Sequence, residues 1–197
     1  MAGKKNLSLP VLLMLSFLLA CNFGRVNQGR VIAYDAGKGL VTLIPEASPG
    51  KPGGARYVLP PATVRVPQDR KEMGAAPRAG KLLLVDAADQ SVLVFDDATA
   101  SLRRIPVAGL QQQRGVLESD PRVANVTFPV IDPNNRAITV YSVSERKLHT
   151  FRVAEEQLAL PPDTWRMGDD VRYYYRQPEQ ALRLMNVTRT DLQKGGH

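Results

Sequence analysis

"RVIAYDAGKGLVTLI", Arg30 to Ile44, places apolar and β-branched residues on both sides of the cluster Asp-Ala-Gly-Lys-Gly. Two short runs of that kind around a turn cluster are the signature of a β-hairpin. The pattern returns in "KLLLVDAADQSVLVFD" (Lys81 to Asp96), "FPVIDPNNRAITVYS" (Phe128 to Ser142) and "VRYYYRQPEQALRLMNV" (Val171 to Val187). In three of the four an aspartate closes the first strand: Asp35, Asp86 and Asp132. A carboxylate there can accept a bond from the backbone two residues on, which makes these residues turn formers. They do not read as calcium ligands, because no second carboxylate cluster recurs at loop spacing. Helical periodicity is confined to "GLQQQRGVLES", Gly109 to Ser119, a short helix or an extended connector. The chain therefore reads as all-β.

The hairpins suggest a duplication. The first is followed by a strand-like segment, Leu59-Pro60-Pro61, a glycine and the second hairpin; the third by "KLHTFRV", Leu160-Pro161-Pro162, "MGDD" and the fourth. About five strands per copy suit a small OB- or SH3-like barrel. The expectation is two tandem barrel-like modules, residues 29–117 and 126–192, joined by a linker at 118–125 and followed by a flexible tail, 193–197. Between Pro61 and Gly80 the first copy is longer than between Pro162 and Gly168 in the second, which makes 62–80 a polar insertion and a mobile loop. The alternative is a small propeller with one hairpin in each blade.

Upstream, Lys4 and Lys5 precede a dozen mostly apolar residues ending at Ala20, the layout of a secretory signal and too short to span a bilayer. Cleavage by the ordinary small-residue rule would put Leu18 in a pocket that takes small side chains. "LLAC", Leu18 to Cys21, instead resembles the lipobox of bacterial lipoproteins. That resemblance implies a signal peptide at 1–20, diacylglycerol on the Cys21 thiol, and a lipidated tether over 21–28. Cys21 is the single cysteine of the 197 residues, so no disulfide is available. Asn22 follows it, where an aspartate acts as an inner-membrane retention signal in some bacteria, so the outer membrane is the expected destination over the inner.

The whole chain carries a formal charge of +7; loss of residues 1–20 removes two lysines and no acid, leaving +5. No run of like charges concentrates it, which argues against nucleic acid as a partner. "GRVIAYD", "LALPPDTW" and "ALRLMNVT" resemble an uncharacterised family of short bacterial lipoproteins, a domain of unknown function. The resemblance implies fold and envelope location, and no activity.

Catalytic groups are sparse. His149 and His197 are the only histidines and neither has an adjacent nucleophile motif. The pairs Glu155-Glu156 and Asp169-Asp170 are sequence neighbours, which on a strand face opposite ways. "GKGLVT", Gly37 to Thr42, lacks phosphate-loop spacing. Soft ligands for copper exist in His149, Trp165, Met167 and Met185, but not at the tight Trp-x-x-Met-x-Met spacing of small-barrel copper carriers. In "VRYYYR", alternation puts Val171, Tyr173 and Tyr175 on one face and Arg172, Tyr174 and Arg176 on the other. The second face is a candidate binding surface for glycan or an envelope protein.

The expected function is that of a lipid-anchored envelope lipoprotein acting as a non-enzymatic binding or scaffold module on the periplasmic side, with no cofactor beyond the lipid. The alternative is a periplasmic carrier of a small ligand or metal.

Overall fold

The computed structural model describes residues 24–49 and 56–190. The signal segment 1–20, Cys21 and the tail 193–197 lie outside them. Twelve strands follow one another: β1 (Arg25–Asp35), β2 (Leu40–Pro45), β3 (Ala62–Arg65), β4 (Leu82–Asp86), β5 (Ser91–Asp96), β6 (Ser101–Pro106), β7 (Ala108–Arg114), β8 (Val130–Asp132), β9 (Ala137–Ser142), β10 (Lys147–Arg152), β11 (Asp170–Gln177) and β12 (Gln180–Asn186). One α-turn at Glu155–Leu158 and short 3-10 turns at Arg70–Glu72 and Pro162–Trp165 are the helical elements among the described residues. The protein is all-β.

All four expected hairpins form: β1/β2, β4/β5, β8/β9 and β11/β12. The turns at Asp35, Asp86, Asp96, Asp132 and Ser142 share one construction. In each, a side-chain oxygen accepts from a backbone N–H two or three residues on. The residue four positions on is left-handed: Gly39 (φ 62°), Gln90 (47°), Ala100 (48°), Arg136 (50°) and Arg146 (52°). Such turns carry the right-handed twist of the flanking strands.

The pairing between hairpins departs from the tandem expectation. A closed barrel has the order β1-β11-β12-β3-β2, so it is built from both ends of the chain. The remaining strands form a three-stranded sheet, β4-β5-β6, and a four-stranded sheet, β7-β10-β9-β8. Modules at 29–117 and 126–192 therefore do not close separately. The supposed linker 118–125 joins two strands of one sheet, and Val123 within it is buried against Val116 and Leu148. The propeller alternative fails as well, since the first and last hairpins share a single barrel. Residues 62–80 are no loop apart: β3 closes the barrel beside β2, and Gly74 donates to the Leu184 carbonyl of β12 at 2.8 Å. Residues 25–28, expected within the tether, are instead the start of β1. Gly109 to Arg114, an open choice in the sequence, is extended as part of β7.

Alternation explains how three layers arise. Val31, Val41, Leu43, Val64, Val171, Tyr173, Tyr175, Ala181 and Leu184 fill the barrel. Ile32 and Ile44, one residue out of phase with Val31 and Leu43, point outward against Leu83 and Phe95 of the three-stranded sheet. On β5, Leu93 and Phe95 pack towards the barrel while Val92 and Val94 pack towards the four-stranded sheet. β5 is thus buried on both faces, which is why its sequence is nearly all apolar. Between the two open sheets sit Trp165 and Phe151, both fully buried, their rings 6.1 Å apart.

Gly168 is where the barrel meets the rest. A Cβ there would lie 2.1 Å from the Val31 carbonyl oxygen and about 3.1 Å from the Gly80 amide. Gly80 itself donates to that carbonyl. Three backbone segments cross without side chains between them, and Gly168 at this crossing also lines a cavity.

Candidate functional site

The cavity is a cleft of about 920 Å³ between the barrel and the four-stranded sheet. Arg30, Gly168, Asp169, Thr188 and Arg189 form its barrel wall; Val140 and Tyr141 of β9, with Phe128 and residues 123–127, form the opposite wall. Trp165, Arg166 and Met167 lie between, and Arg78 flanks them.

Its polar side chains are organised around Asp169, which precedes β11, and Asp170, which opens it. Arg30 and Asp170 are register partners across β1 and β11, and the Arg30 Nε donates to Asp170 Oδ1 at 2.8 Å. Burial works against the Arg30 charge, yet Asp170 and the Tyr57 hydroxyl outweigh it and hold the guanidinium above its ordinary pKa. Tyr57, whose ring lies 5.9 Å from the Arg30 guanidinium carbon, is pushed up to about 12, chiefly by burial. Asp169 faces the other way, as alternation requires. Its Oδ2 accepts from Asn186 Nδ2 at 2.8 Å and from the Arg78 backbone N–H at 3.0 Å. This clasps the loop before β4 to the barrel.

Four guanidinium groups line the cleft against three carboxylates, Glu118, Asp163 and Asp169. Arg166 pairs with Asp163, and Arg189 with Glu118 at 3.4 Å. Three donors remain without acceptors among the described residues. The Arg78 side chain has no carboxylate partner, the Arg189 Nε stops 3.6 Å from Asp169, and the indole N–H of fully buried Trp165 is unpartnered. A buried donor without a partner costs about 1–3 kcal/mol. Arg189 Nε and the Trp165 indole are enclosed, so the exposed Arg78 guanidinium is the donor the cleft presents to whatever enters it.

Of the residues singled out for copper, Met185 lies away from the core that holds Trp165 and Met167. His149 lies on β10 on the same face as Phe151, and Trp165 and Met167 belong to the core around Phe151. Met185 stands on the outer surface of the barrel, opposite Arg172 in register. His149 is 1% exposed and both its ring nitrogens lack partners. Burial pushes its imidazole below the ordinary value, against the pull of Glu145 and with that of Lys147. The unfolded chain protonates His149 near pH 6.5 whereas the folded chain resists, so stability is complete above that pH and falls as pH drops through it. His149→Leu should abolish this loss and raise stability near pH 7 by about 1 kcal/mol, because two unsatisfied nitrogens disappear. Thermal unfolding of both proteins at about pH 7 and about pH 5 checks it; parallel curves would count against the buried, neutral imidazole.

Arg172, Tyr174 and Arg176 lie on the outer face of β11, while Val171, Tyr173 and Tyr175 are buried inside the barrel. The alternation read from the sequence holds residue by residue. Arg172 and Tyr174 border a second, mainly apolar groove of about 530 Å³ with Val26, Glu72, Leu182, Arg183 and Met185. The deep cleft and its buried network were not legible in advance. Asp169, Asn186 and Arg30 read as ordinary surface polars until the ends of the chain meet.

Residues 22–195 match the family described as Domain of unknown function (DUF4881). The chain belongs to that family. No curated protein and no solved structure matches this DUF4881 chain.

Proposed function

We propose that this DUF4881 protein is a lipid-anchored envelope protein, held through Cys21, whose cleft binds a ligand or partner rich in oxygen acceptors without transforming it. The observation that carries this is the cleft itself, flanked by the exposed Arg78 guanidinium, which pairs with no carboxylate among the described residues. A binding role without chemistry is favoured by the state of the cleft's carboxylates. Asp163 is committed to Arg166, Glu118 to Arg189, and Asp169 to Asn186 and the Arg78 amide. None is poised beside a nucleophile as general base catalysis requires. The envelope location rests on the leader and the lipobox-like "LLAC".

A photo-crosslinking side chain at exposed Asn125 on the cleft rim, compared with one at exposed Thr99 in the β5–β6 turn, tests the cleft in the native host. Trapping at 125 should exceed that at 99 and should fall about tenfold with Arg78→Glu, the loss of one charge-assisted bond. Equal trapping at both positions, or indifference to Arg78→Glu, rejects the cleft. Intact mass of the native protein tests the anchor: diacylglycerol on Cys21 supports it, and a bare thiol with the leader attached rejects it.

A further inference from the structure

We infer that the outer face of β1, β11 and β12 lies against the phospholipid surface and holds anionic headgroups. The inference rests on the anchoring of Cys21 proposed above.

Two rows of side chains cross this face in register. One is Val26–Tyr174–Arg183, the other Gln28–Arg172–Met185. Val26 is 58% exposed and Leu182 beside the rows 42% exposed, and together with Tyr174 and Met185 they border the apolar groove. The cations Arg172 and Arg183 line it, and Arg176 follows on the same outer face of β11. Gln28 Oε1 accepts from both Nε and Nη2 of Arg172, at 3.0 and 2.8 Å, and so fixes that guanidinium outward. Glu72, paired with Arg183 at 2.5 Å, is the single acid lining the groove among the described residues. Apolar and aromatic side chains ringed by arginine are what a headgroup layer accepts: the stems and rings enter the acyl boundary and the cations meet phosphate.

The length of chain between anchor and fold decides which face this is. Gly24 runs directly over Tyr174; a Cβ on Gly24 would fall 2.1 Å from the tyrosine ring. Gly24, the first described residue, therefore lies over this face. Only three residue steps separate Gly24 from Cys21, a reach of about 11 Å at full extension. A headgroup layer is itself about 6 Å thick, the difference between the full bilayer and its hydrocarbon core divided between two sides. With its acyl chains buried, Cys21 can hold no other face of the barrel so close to the lipid.

The test uses acyl-free chain 22–197, which keeps every strand of the fold since β1 starts at Arg25 and β12 ends at Asn186. It is sedimented with vesicles of phosphatidylcholine alone and with vesicles one-third phosphatidylglycerol. Binding should favour the anionic vesicles and weaken about fivefold for each of Arg172→Ala and Arg183→Ala, the factor expected for one basic residue at an anionic surface. Val26→Asp should weaken it further. All three positions face solvent, so the fluorescence of buried Trp165 should stay at its parental wavelength and report an intact fold. Equal sedimentation with both vesicle types, variants that bind like the parent, or capture by purified cell-wall glycan with none by vesicles would each overturn the inference. Failure of the anchor reads out separately, as a bare Cys21 by intact mass. An acylated protein whose acyl-free form ignores anionic vesicles would sink this inference alone.

Discussion

Trp165→Ala is expected to destabilise the protein by about 3–5 kcal/mol, the range for removing a fully enclosed aromatic side chain. Trp165 is the largest fully buried residue, and its ring closes the space between the two open sheets against Phe151. The three-stranded sheet is not free to slide into the void, because β5 is pinned on its other face by the barrel through Leu93 and Phe95. At roughly 2–4 °C per kcal/mol for a chain of this size, the melting temperature should fall by about 10 °C. Trp165→Phe should cost much less, since it keeps most of the ring volume and removes an indole N–H that has no partner. A Trp165→Ala protein melting within about 3 °C of the parent would mean that the sheets do not depend on this residue for their packing.

Arg30→Met should be comparably damaging, at about 3–5 kcal/mol, for an electrostatic reason. The Asp170 side chain is 14% exposed, and without the guanidinium its carboxylate would be left in a barrel seam with no countercharge. Losing one member of a buried pair is the costly case, whereas losing both is close to neutral. Asp170→Asn in the Arg30→Met background should therefore recover more than half of the loss. The single variant should also show a pH signature. Burial raises the folded-state pKa of an unpaired Asp170 above its unfolded value, so its stability should improve as pH falls towards the ordinary carboxylate range and decline again as pH rises. Denaturant titrations of the four proteins of this cycle give the coupling directly. An additive cycle would show that Arg30 and Asp170 act independently.

What could be read from the sequence follows the range of the interaction concerned. Asp35, Asp86 and Asp132 act within five residues, so their turns were visible. So was the two-sided character of Val171 to Arg176, because alternation is a local property. Asp96 and Ser142 build the same turn and were passed over, and their left-handed positions fall to Ala100 and Arg146. The architecture was misread for a different reason. Leu59-Pro60-Pro61 and Leu160-Pro161-Pro162 look like copies, yet the first leads into β3 of the barrel and the second into the turn that carries Trp165. Which hairpin pairs with which is settled by faces that match at long range, and no local period encodes it. The cleft inherits that difficulty, since Arg30, Arg78 and Asp169 meet only after the two ends of the chain have joined.

The strand order also sets a timetable. Arg30 and Asp170 lie 140 residues apart and side by side. A ribosome makes β1, β2 and β3 first, a three-stranded ribbon whose two open margins, β1 and β3, are both reserved for a hairpin that emerges last. The middle sheets close on near neighbours meanwhile. Closing the longest loop is slow, and an unpaired margin invites foreign strands while it waits. The C-terminal hairpin thus works as a latch, and a chain broken off before β11 would present two sticky edges to its neighbours in place of a finished barrel.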